Sequence, residues 1–313
     1  MRALHVPAAG EKPQIGELPT PPVTDGAVLI RVKAAALNPV DNAIAAGYLA
    51  GMLPHEYPLV VGRDAAGVVE AVGAGVEHVK PGDEVFGHVL MAPPVQAGTL
   101  AEYAVLPAAA VALKPAGLDF VQAAALPLAA TSAVQAVDAI DAQSGETVLV
   151  NGASGGVGSY AVQLLAARGV TVIATGADTA RLTGLGATTV VDRAAGPVAE
   201  QVLAAHPGGV DALINLFGND PADVPLAAVR QGGTVATLTQ APDAEAATAA
   251  GVTVTPIMAS PVREVTVPLA EQAAGGALKV DVGAVITLDQ AADGLDTIAA
   301  GQAKGKTVVI LNN

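Results

Sequence analysis

The segment Thr147–Thr175, TVLVNGASGGVGSYAVQLLAARGVTVIAT, decides the fold of this chain. An apolar strand over Thr147–Val150 leads into a glycine-rich turn, a helix over Val157–Arg168 follows, and a second strand over Thr171–Thr175 closes the unit. Small residues in such a turn let the backbone approach a pyrophosphate, and the helix supplies free N–H groups and the positive end of its dipole. The pattern therefore predicts a dinucleotide-binding unit, with a merely tight structural turn as the alternative.

The candidate cofactor contacts lie in this turn and at the start of the helix. The spacing Ala153-x-Gly155-x-x-Gly158 places small residues where a pyrophosphate must come closest. The residues that we expect to line the cradle are Ala153, Ser154, Gly155, Gly156, Val157 and Gly158.

The end of the second strand bears on the choice between NADH and NADPH. Enzymes that use NAD usually carry Asp or Glu about 20 residues past the glycines, where it binds the ribose hydroxyls. This chain has Gly176 there, so no carboxylate repels a 2′-phosphate, and Arg181 follows shortly. Arg181 could equally be a solvated helix residue, and Asp178 could still reach a ribose. The sequence predicts NADPH over NADH.

Composition and charge narrow the class of protein. A length of 313 residues allows about two domains, and an apolar content of 52% can bury a sizeable core. The absence of cysteine excludes disulfides, thiolate catalysis and cysteine-bound zinc. A net charge of −14 repels nucleic-acid phosphates and anionic membranes. We therefore expect no nucleic-acid partner.

Neither a membrane span nor a targeting segment is expected. No apolar run reaches the ~18–20 residues of a transmembrane helix. Residues 1–10 read as a first strand rather than as a signal peptide. The expectation is a cytoplasmic protein without a membrane partner.

The chain before the glycine turn differs from the chain after it. Up to about Lys114, short apolar runs such as Val28–Ala34 and Ala66–Val72 alternate with Gly/Pro turns, which predicts a β-barrel-like domain. From about Ala123, helical and strand patterns alternate, which predicts an α/β domain with a parallel sheet covered by helices on both faces. The β-rich segment Val252–Ile257 is predicted as an edge strand, with an internal strand as the alternative.

A series of short motifs runs along nearly the whole chain. They are Ala36-Leu-Asn-Pro-Val-Asp41 with Gly47-Tyr48, Pro58-x-x-x-Gly62-x-Asp64-x-x-Gly67, Gly98-Thr-Leu-Ala-Glu-Tyr103, Lys114-Pro115, Ala123-Ala-Ala-Leu-Pro127 with Thr131, Gly232-Gly233, and Gly305-Lys306-x-Val308. In kind and order these motifs resemble the zinc-independent quinone oxidoreductase branch of the medium-chain dehydrogenase/reductase superfamily. They are specific to the family and say little about the substrate.

The resemblance implies a division of the chain and a mode of assembly. It implies a GroES-like catalytic domain over residues 1–115, a Rossmann NADP-binding domain over residues 116–258, and a C-terminal segment, residues 259–313, that returns to the catalytic domain. It also implies an active cleft between the two domains and a homodimer formed by edge-to-edge pairing of Rossmann sheets. Thr131 and Phe217 are the further cofactor contacts that it suggests.

Zinc is not expected in the active site. Zinc-dependent relatives carry Cys where Asn38 lies and His where Arg63 lies, and Asn is a poor zinc ligand while the cationic Arg is none. The five histidines show no ligand spacing and are interpreted as surface or cleft residues. Arg63 could stabilise an enolate, although a structural pair with Asp41, Asp64 or another neighbour is the favoured interpretation.

Three polar residues of the first motif are the candidate catalytic groups. The Tyr48 phenol could donate to an enolate or protonate an α-carbon, or it could be a packing aromatic. Asn38 could donate its amide to substrate or nicotinamide, or it could be a turn residue before Pro39. Asp41 could transfer a proton, but a cap on a helix over residues 42–46, or a pair with a base, is the favoured interpretation.

The expected lack of a metal restricts the chemistry. Hydride transfer to a quinone or to an activated C=C needs only hydrogen-bond donors at the oxygen that gains charge, each worth roughly 2–4 kcal/mol. The sequence therefore predicts an NADPH-dependent reductase of quinones or of α,β-unsaturated carbonyls. An enoyl-thioester reductase of lipid or polyketide metabolism is the alternative enzyme, and a non-catalytic NADPH-binding regulatory protein is the alternative of another class.

Overall fold

The computed structural model describes residues 1–311. Its strands are β1 (Arg2–Val6), β2 (Gln14–Glu17), β3 (Ala27–Ala36), β4 (Leu59–Val60), β5 (Asp64–Val72), β6 (Glu84–His88), β7 (Tyr103–Pro107), β8 (Val111–Leu113), β9 (Thr147–Asn151), β10 (Thr171–Thr175), β11 (Thr189–Val191), β12 (Val210–Asn215), β13 (Val229–Thr237), β14 (Thr253–Pro256), β15 (Val282–Thr287) and β16 (Lys306–Ile310). Its helices are α1 (Pro39–Ala45), α2 (Phe120–Ala124), α3 (Pro127–Ile140), α4 (Gly156–Ala167), α5 (Thr179–Gly184), α6 (Val198–Ala205), α7 (Ala244–Ala250), α8 (Arg263–Ala274) and α9 (Ala291–Ala299). Within the described residues, none of these helices has the length and apolar character needed to cross a bilayer.

The chain forms two compact units. One consists of Met1–Thr131 together with the segment from Ser260 onward, and the other of Ser132–Ala259. This division into compact units falls at residue 131, and the domain boundary at residue 115 that the resemblance implies stays a prediction. The difference has a local cause, because the short helix α2 packs on β3 and β5, which are strands of the first unit.

Antiparallel pairing dominates the first unit. β2, β1 and β4 form a three-stranded sheet, and a larger sheet has the order β15-β16-β3-β5-β6-β8, with β7 also paired to β3. The long strand β3 is the centre of the unit because residues such as Val28, Ile30 and Val32 are completely buried. β16, near the end of the chain, pairs with β3 so that Val308 lies opposite Ala36. The last strand therefore lies beside the first catalytic motif.

Three strands of this sheet bring polar residues to one place. β3 ends at Ala36, just before Asn38, and Ala36 lies opposite Asp64 at the start of β5. Asp64 in turn lies opposite His88 at the end of β6. Residues that are far apart in sequence thus become neighbours at this end of the sheet.

The second unit is a parallel sheet with helices between successive strands. Its strand order is β11-β10-β9-β12-β13-β14. Counted from β9, the order is 3-2-1-4-5-6, which is the order of a Rossmann fold. Its central strands are apolar runs, and Val148, Leu149 and Val150 are completely buried, as expected for strands covered on both faces. The predicted α/β fold with a doubly wound parallel sheet is confirmed.

β14 lies at the edge of the parallel sheet. It pairs with β13, and among residues 1–311 no strand pairs with its other side. Its last residue is Pro256, which lacks an N–H and is tolerated at an edge. The predicted edge position of Val252–Ile257 is confirmed.

Candidate active site

The turn between β9 and α4 forms a cradle of backbone. Gly155 caps α4, which begins at Gly156. A Cβ atom on Gly158 would lie 2.4 Å from the Gly152 carbonyl oxygen and 2.5 Å from the Ala153 Cα, so only glycine allows this close approach of helix and turn. The first N–H groups of a helix have no intrahelical partners, and this end of α4 can therefore bind a pyrophosphate. The residues present fit a dinucleotide.

A side chain at the position that distinguishes NADH from NADPH enzymes would require two neighbouring side chains to move. A Cβ atom on Gly176 would lie 2.2 Å from the Ser154 Oγ and 2.7 Å from the Leu182 Cδ1. An acid here would therefore displace Ser154 from the cradle. Asp178 is the N-cap of α5, and its Oδ1 accepts from the Arg181 backbone N–H at 3.1 Å. The nearest carboxylate is thus used to cap a helix.

The Arg181 side chain lies against the cradle. Its Nη1 and Nη2 donate to the Ser154 carbonyl oxygen at 3.3 and 3.2 Å. These bonds hold a guanidinium group beside Gly176, at the carboxyl end of β10. The alternative of a merely solvated Arg181 is wrong.

A second cation at this edge, Arg193, was not predicted from the sequence. It follows β11, and its Cζ lies 3.4 Å from the centroid of the Phe217 ring, which follows β12. β10 and β9 lie between these two strands, so the stacked pair spans their carboxyl ends, where Rossmann sheets bind dinucleotides. Burial lowers the pKa of Arg193, while Asp192 and Asp223 raise it. Arg193 lies two residues after the end of β11, and a basic residue at this place is the sequence signal that could have indicated a second cation.

α1 begins earlier than predicted. Its first residue is Pro39 and its N-cap is Asn38. Proline suits this place because the first helical N–H has no partner to lose. Asp41 therefore lies inside the first turn, where its Oδ2 accepts from the Asn38 backbone N–H at 2.7 Å. The predicted cap on a helix over residues 42–46 is wrong, and the carboxylate instead closes the first turn from within.

Both ends of the Asn38 amide are engaged. Its Nδ2 donates to the Asp64 Oδ2 at 2.9 Å and to the Ala36 carbonyl oxygen at 3.3 Å. Its Oδ1 accepts from the Lys306 Nζ at 2.6 Å. This arrangement holds the amide inside the protein and leaves it no donor for a substrate.

Asp64 is the centre of a buried polar array. Its side chain is completely buried, and its Oδ1 lies 2.7 Å from the His88 Nδ1 and accepts from the Leu128 backbone N–H at 3.1 Å. The His88 side chain is only 4% exposed. The interpretation of all five histidines as surface or cleft residues is therefore wrong for His88, and also for His5, which is 7% exposed.

Lys306 reaches this array from β16. Its Nζ donates to the Leu37 carbonyl oxygen at 2.9 Å and lies 3.9 Å from the Asp64 Oδ2. Burial lowers the pKa of Lys306, while Asp64 and Asp41 raise it. With the Asn38 Oδ1, the amine has two hydrogen-bond acceptors, and the Asp64 carboxylate is its nearby opposite charge. The geometry therefore favours the charged form.

Asp41 is a buried acid that can exchange its proton near neutral pH. It is completely buried, and among residues 1–311 its Oδ1 has no hydrogen-bond partner. Burial raises the pKa of Asp41 to about 7, although the Arg63 charge and the Asn38 N–H lower it. Asp64 raises this pKa further, and Lys306 lowers it. A carboxyl group with such a pKa can act as a general acid.

Arg63 is buried with only part of its guanidinium bonded. It is 1% exposed, and its Nη2 donates to the Ala97 carbonyl oxygen at 2.8 Å. Its Nε has no partner among residues 1–311. Burial lowers the pKa of Arg63, while Asp41 and Asp64 raise it, yet within the described part of the chain no carboxylate oxygen lies within 4.0 Å of it. The favoured direct ion pair is thus replaced by a carbonyl contact with carboxylates farther away.

Tyr48 and Thr131 differ sharply in exposure. Tyr48 follows α1 and is 82% exposed. Thr131 is completely buried, and its Oγ1 has no partner within residues 1–311. A buried hydroxyl without a partner costs about 1–3 kcal/mol, so the Thr131 hydroxyl is suited to a ligand.

Comparison with known proteins identifies the family. Residues 24–116 match the alcohol dehydrogenase GroES-like domain, and residues 185–309 match the zinc-binding dehydrogenase family. The chain is similar to the chloroplastic NADPH-dependent alkenal/one oxidoreductase of Arabidopsis thaliana. The two are 36% identical over 228 residues, and this alignment covers 71% of this chain and 57% of that protein. The quinone oxidoreductase structure from Coxiella burnetii superimposes with a TM-score of 0.87 at 26% identity and covers 100% of this chain and 99% of that one.

The chain belongs to the quinone oxidoreductase branch of the medium-chain dehydrogenase/reductase superfamily. Human mitochondrial NAD(P)H oxidoreductase RTN4IP1 is another relative, 37% identical over 199 residues, which cover 58% of this chain and 50% of that protein. The match thus spans about half the length of the curated relatives. The family resemblance and the GroES-like domain predicted from the motifs are confirmed.

Membership of a superfamily with zinc-binding members directs attention to Asn38 and Arg63. The Asn38 side chain is bonded to Asp64 and Lys306, and the Arg63 side chain is bonded to the Ala97 carbonyl oxygen. Within residues 1–311, no three His, Cys, Asp or Glu side chains are placed to hold a metal ion together. A zinc-free site stays a prediction, and the turnover assay below includes a chelator to test it.

Proposed function

We propose that this chain is an NADPH-dependent reductase that transfers hydride to a quinone or to the activated C=C of an α,β-unsaturated carbonyl, without a metal. The observation that carries the proposal is the buried array around Asn38, which contains the cations Arg63 and Lys306 and the carboxyl groups of Asp41 and Asp64. Burial raises the pKa of Asp41 to about 7, so protonation of Asp41 near neutral pH would leave Asp64 as the one charged carboxylate of the array beside the two cationic side chains. Such charge can stabilise the oxygen that becomes negative during reduction.

The reaction needs a hydride, a place for the electron pair and a proton. A nicotinamide cofactor held by the backbone cradle between β9 and α4 would supply the hydride that adds to the β-carbon. The C=C π electrons then form a bond between the α-carbon and the carbonyl carbon, and the C=O π electrons move to the oxygen, whose charge Arg63 would stabilise. The α-carbon then takes a proton, for which the Asp41 carboxyl and the Tyr48 phenol are the proposed donors. We expect the Thr131 hydroxyl, which has no partner within residues 1–311, to bind the cofactor.

A substrate panel tests this function. Quinones, enones, enals and enoyl thioesters are assayed with NADPH and with NADH, in the presence and absence of a chelator. We expect turnover of quinones or enones that the chelator leaves intact. Turnover of enoyl thioesters alone would contradict the proposal, and so would turnover of no compound or activity that depends on zinc.

NADPH is expected to bind at least ~10-fold more tightly than NADH, a difference of about 1.4 kcal/mol. The support is Gly176, which carries no acid and is crowded by the Ser154 and Leu182 side chains, and the guanidinium of Arg181, which is bonded to the Ser154 carbonyl oxygen. Arg181→Ala should narrow the difference, and Arg193→Ala should do the same. Fluorescence titration with NADPH and with NADH measures the two affinities of each protein. Arg230→Ala is the matched control because this exposed arginine pairs with Asp211, and equal affinities in the wild type would contradict the prediction.

A homodimer is the expected assembly. β14 is an edge strand of the parallel sheet, and a two-fold axis would place it beside its own copy. Light scattering at micromolar concentration should give twice the mass of one chain. Replacement of Val254 by Pro, which removes an N–H from this strand, should favour the monomer, and a monomeric wild type would contradict the prediction.

Localisation in the cytoplasm and a small-molecule partner belong to the same proposal. The relatives include a mitochondrial and a chloroplastic protein, so fractionation of cells that express the full chain is the direct test.

A further inference from the structure

We propose that Lys306 is a positioning residue of the active site: its buried ammonium group holds the Asn38 amide and, through Asn38, fixes the carboxyl group of Asp41, one of the two proposed proton donors. This inference rests on the reductase function proposed above. Lys306 belongs to the last strand, whereas Asn38 and Asp41 belong to the first motif. The sequence between Asp41 and Lys306 gives no indication that Lys306 contacts Asn38.

The first step is the position of the ammonium group. The Lys306 side chain is 3% exposed, and its Nζ lies 2.9 Å from the Leu37 carbonyl oxygen and 2.6 Å from the Asn38 Oδ1. The Asp64 Oδ2 lies 3.9 Å from the Nζ. The ammonium group thus makes two hydrogen bonds to the start of α1 and lies near the Asp64 carboxylate.

The second step is the orientation of the Asn38 amide. A donor, Lys306, faces its oxygen, and an acceptor, Asp64, faces its nitrogen. A flipped amide would place oxygen against the Asp64 carboxylate and nitrogen against the ammonium, so the two charges permit one orientation only. The Asn38 backbone N–H in turn donates to the Asp41 Oδ2 at 2.7 Å. Lys306 therefore fixes the N-cap on which the Asp41 carboxyl depends.

The third step is the charge that Asp41 experiences. Arg63, Asp64 and Lys306 are the charged groups that act on it. The positive charge of Lys306 and the Asn38 N–H both lower the pKa of Asp41. Loss of Lys306 removes the first effect directly and weakens the second, so both changes raise the pKa of Asp41.

The test compares Lys306→Met, which keeps a long apolar stem and removes the charge, with Lys80→Met, a matched change of an exposed lysine. Carboxyl ¹³C NMR of the cofactor-free protein follows the titration of Asp41, whose resonance is assigned by its loss in Asp41→Asn. We expect the Asp41 midpoint of Lys306→Met to move above the wild-type value of about 7. The kcat should fall by about 100-fold, with the KM for NADPH unchanged. Lys80→Met should change neither quantity.

Wild-type titration of Asp41 in a folded Lys306→Met protein would overturn the inference, and so would a wild-type kcat. If Lys306→Met does not fold, Lys306→Gln replaces it as an uncharged polar variant. It must show the same upward movement of the Asp41 midpoint, and an unchanged midpoint overturns the inference. The NMR measurement needs no turnover, so failure of the proposed reductase function is distinguished from failure of this inference.

Discussion

Asp41→Asn is expected to flatten the pH dependence of the free energy of unfolding. The folded protein raises the pKa of Asp41 from 3.8 to about 7, chiefly by burial. Between these values the folded state binds the proton and the unfolded state does not, so the stability from this group is fully present below about pH 4 and is lost as pH rises to about 7. Over about three pH units the loss amounts to roughly 4 kcal/mol. The Asp41→Asn variant lacks this loss of stability because its side-chain amide does not titrate.

Urea denaturation of the wild type and the variant between pH 5 and pH 8 measures the effect. We expect the wild type to lose stability relative to the variant as pH rises through this range. Asp25→Asn is the matched control because Asp25 is exposed in a surface turn. Parallel stability curves for the wild type and Asp41→Asn would show that burial does not hold the proton on Asp41.

Tyr48→Phe is expected to lower kcat and kcat/KM together by roughly 10–1000-fold with an enone substrate. The substitution removes only the hydroxyl, and an interaction made only in the transition state affects both constants equally. The phenol is 82% exposed, so no bond inside the protein is lost with it. Quinones should be less sensitive, because a hydroquinone anion is more stable than an aliphatic enolate. NADPH affinity should hardly change.

Steady-state kinetics with an enone and a quinone measure this prediction. Tyr103→Phe on β7 is the matched control, with wild-type constants expected. An unaltered rate for Tyr48→Phe would make Tyr48 a wall of the pocket. A large loss in Asp41→Asn alone would then assign the proton to Asp41.

The sequence predicted those parts of the molecule that local chemistry determines. The glycine turn before α4 and the alternation of strands and helices specify the parallel sheet, because small residues and apolar runs act over a few positions. The absence of an acid at Gly176 could likewise be read from the local sequence. Arg193 was not predicted because its partner, Phe217, follows β12, which is not adjacent to β11 in the sheet.

The buried polar array around Asp64 could be predicted only in part. Asn38 and Asp41 were found through their motif, but the engagement of the Asn38 amide depends on Lys306, 268 residues away. The contact of His88 with Asp64 arises from pairing of β5 with β6. Such contacts depend on strand register, which a single sequence does not reveal. The start of α1 at Pro39 was misplaced because Asp41 was interpreted as a cap and not as a residue of the first turn.

Deuterium transfer tests the central claim most directly. The full chain is incubated with an enone, a chelator and NADPH that carries deuterium at the transferable position of the nicotinamide, and the product is examined by NMR. The account predicts a saturated ketone with deuterium on the β-carbon alone and a rate that the chelator leaves unchanged. Deuterium on the carbonyl carbon of an alcohol product, or a reaction that stops when the chelator is added, would contradict it.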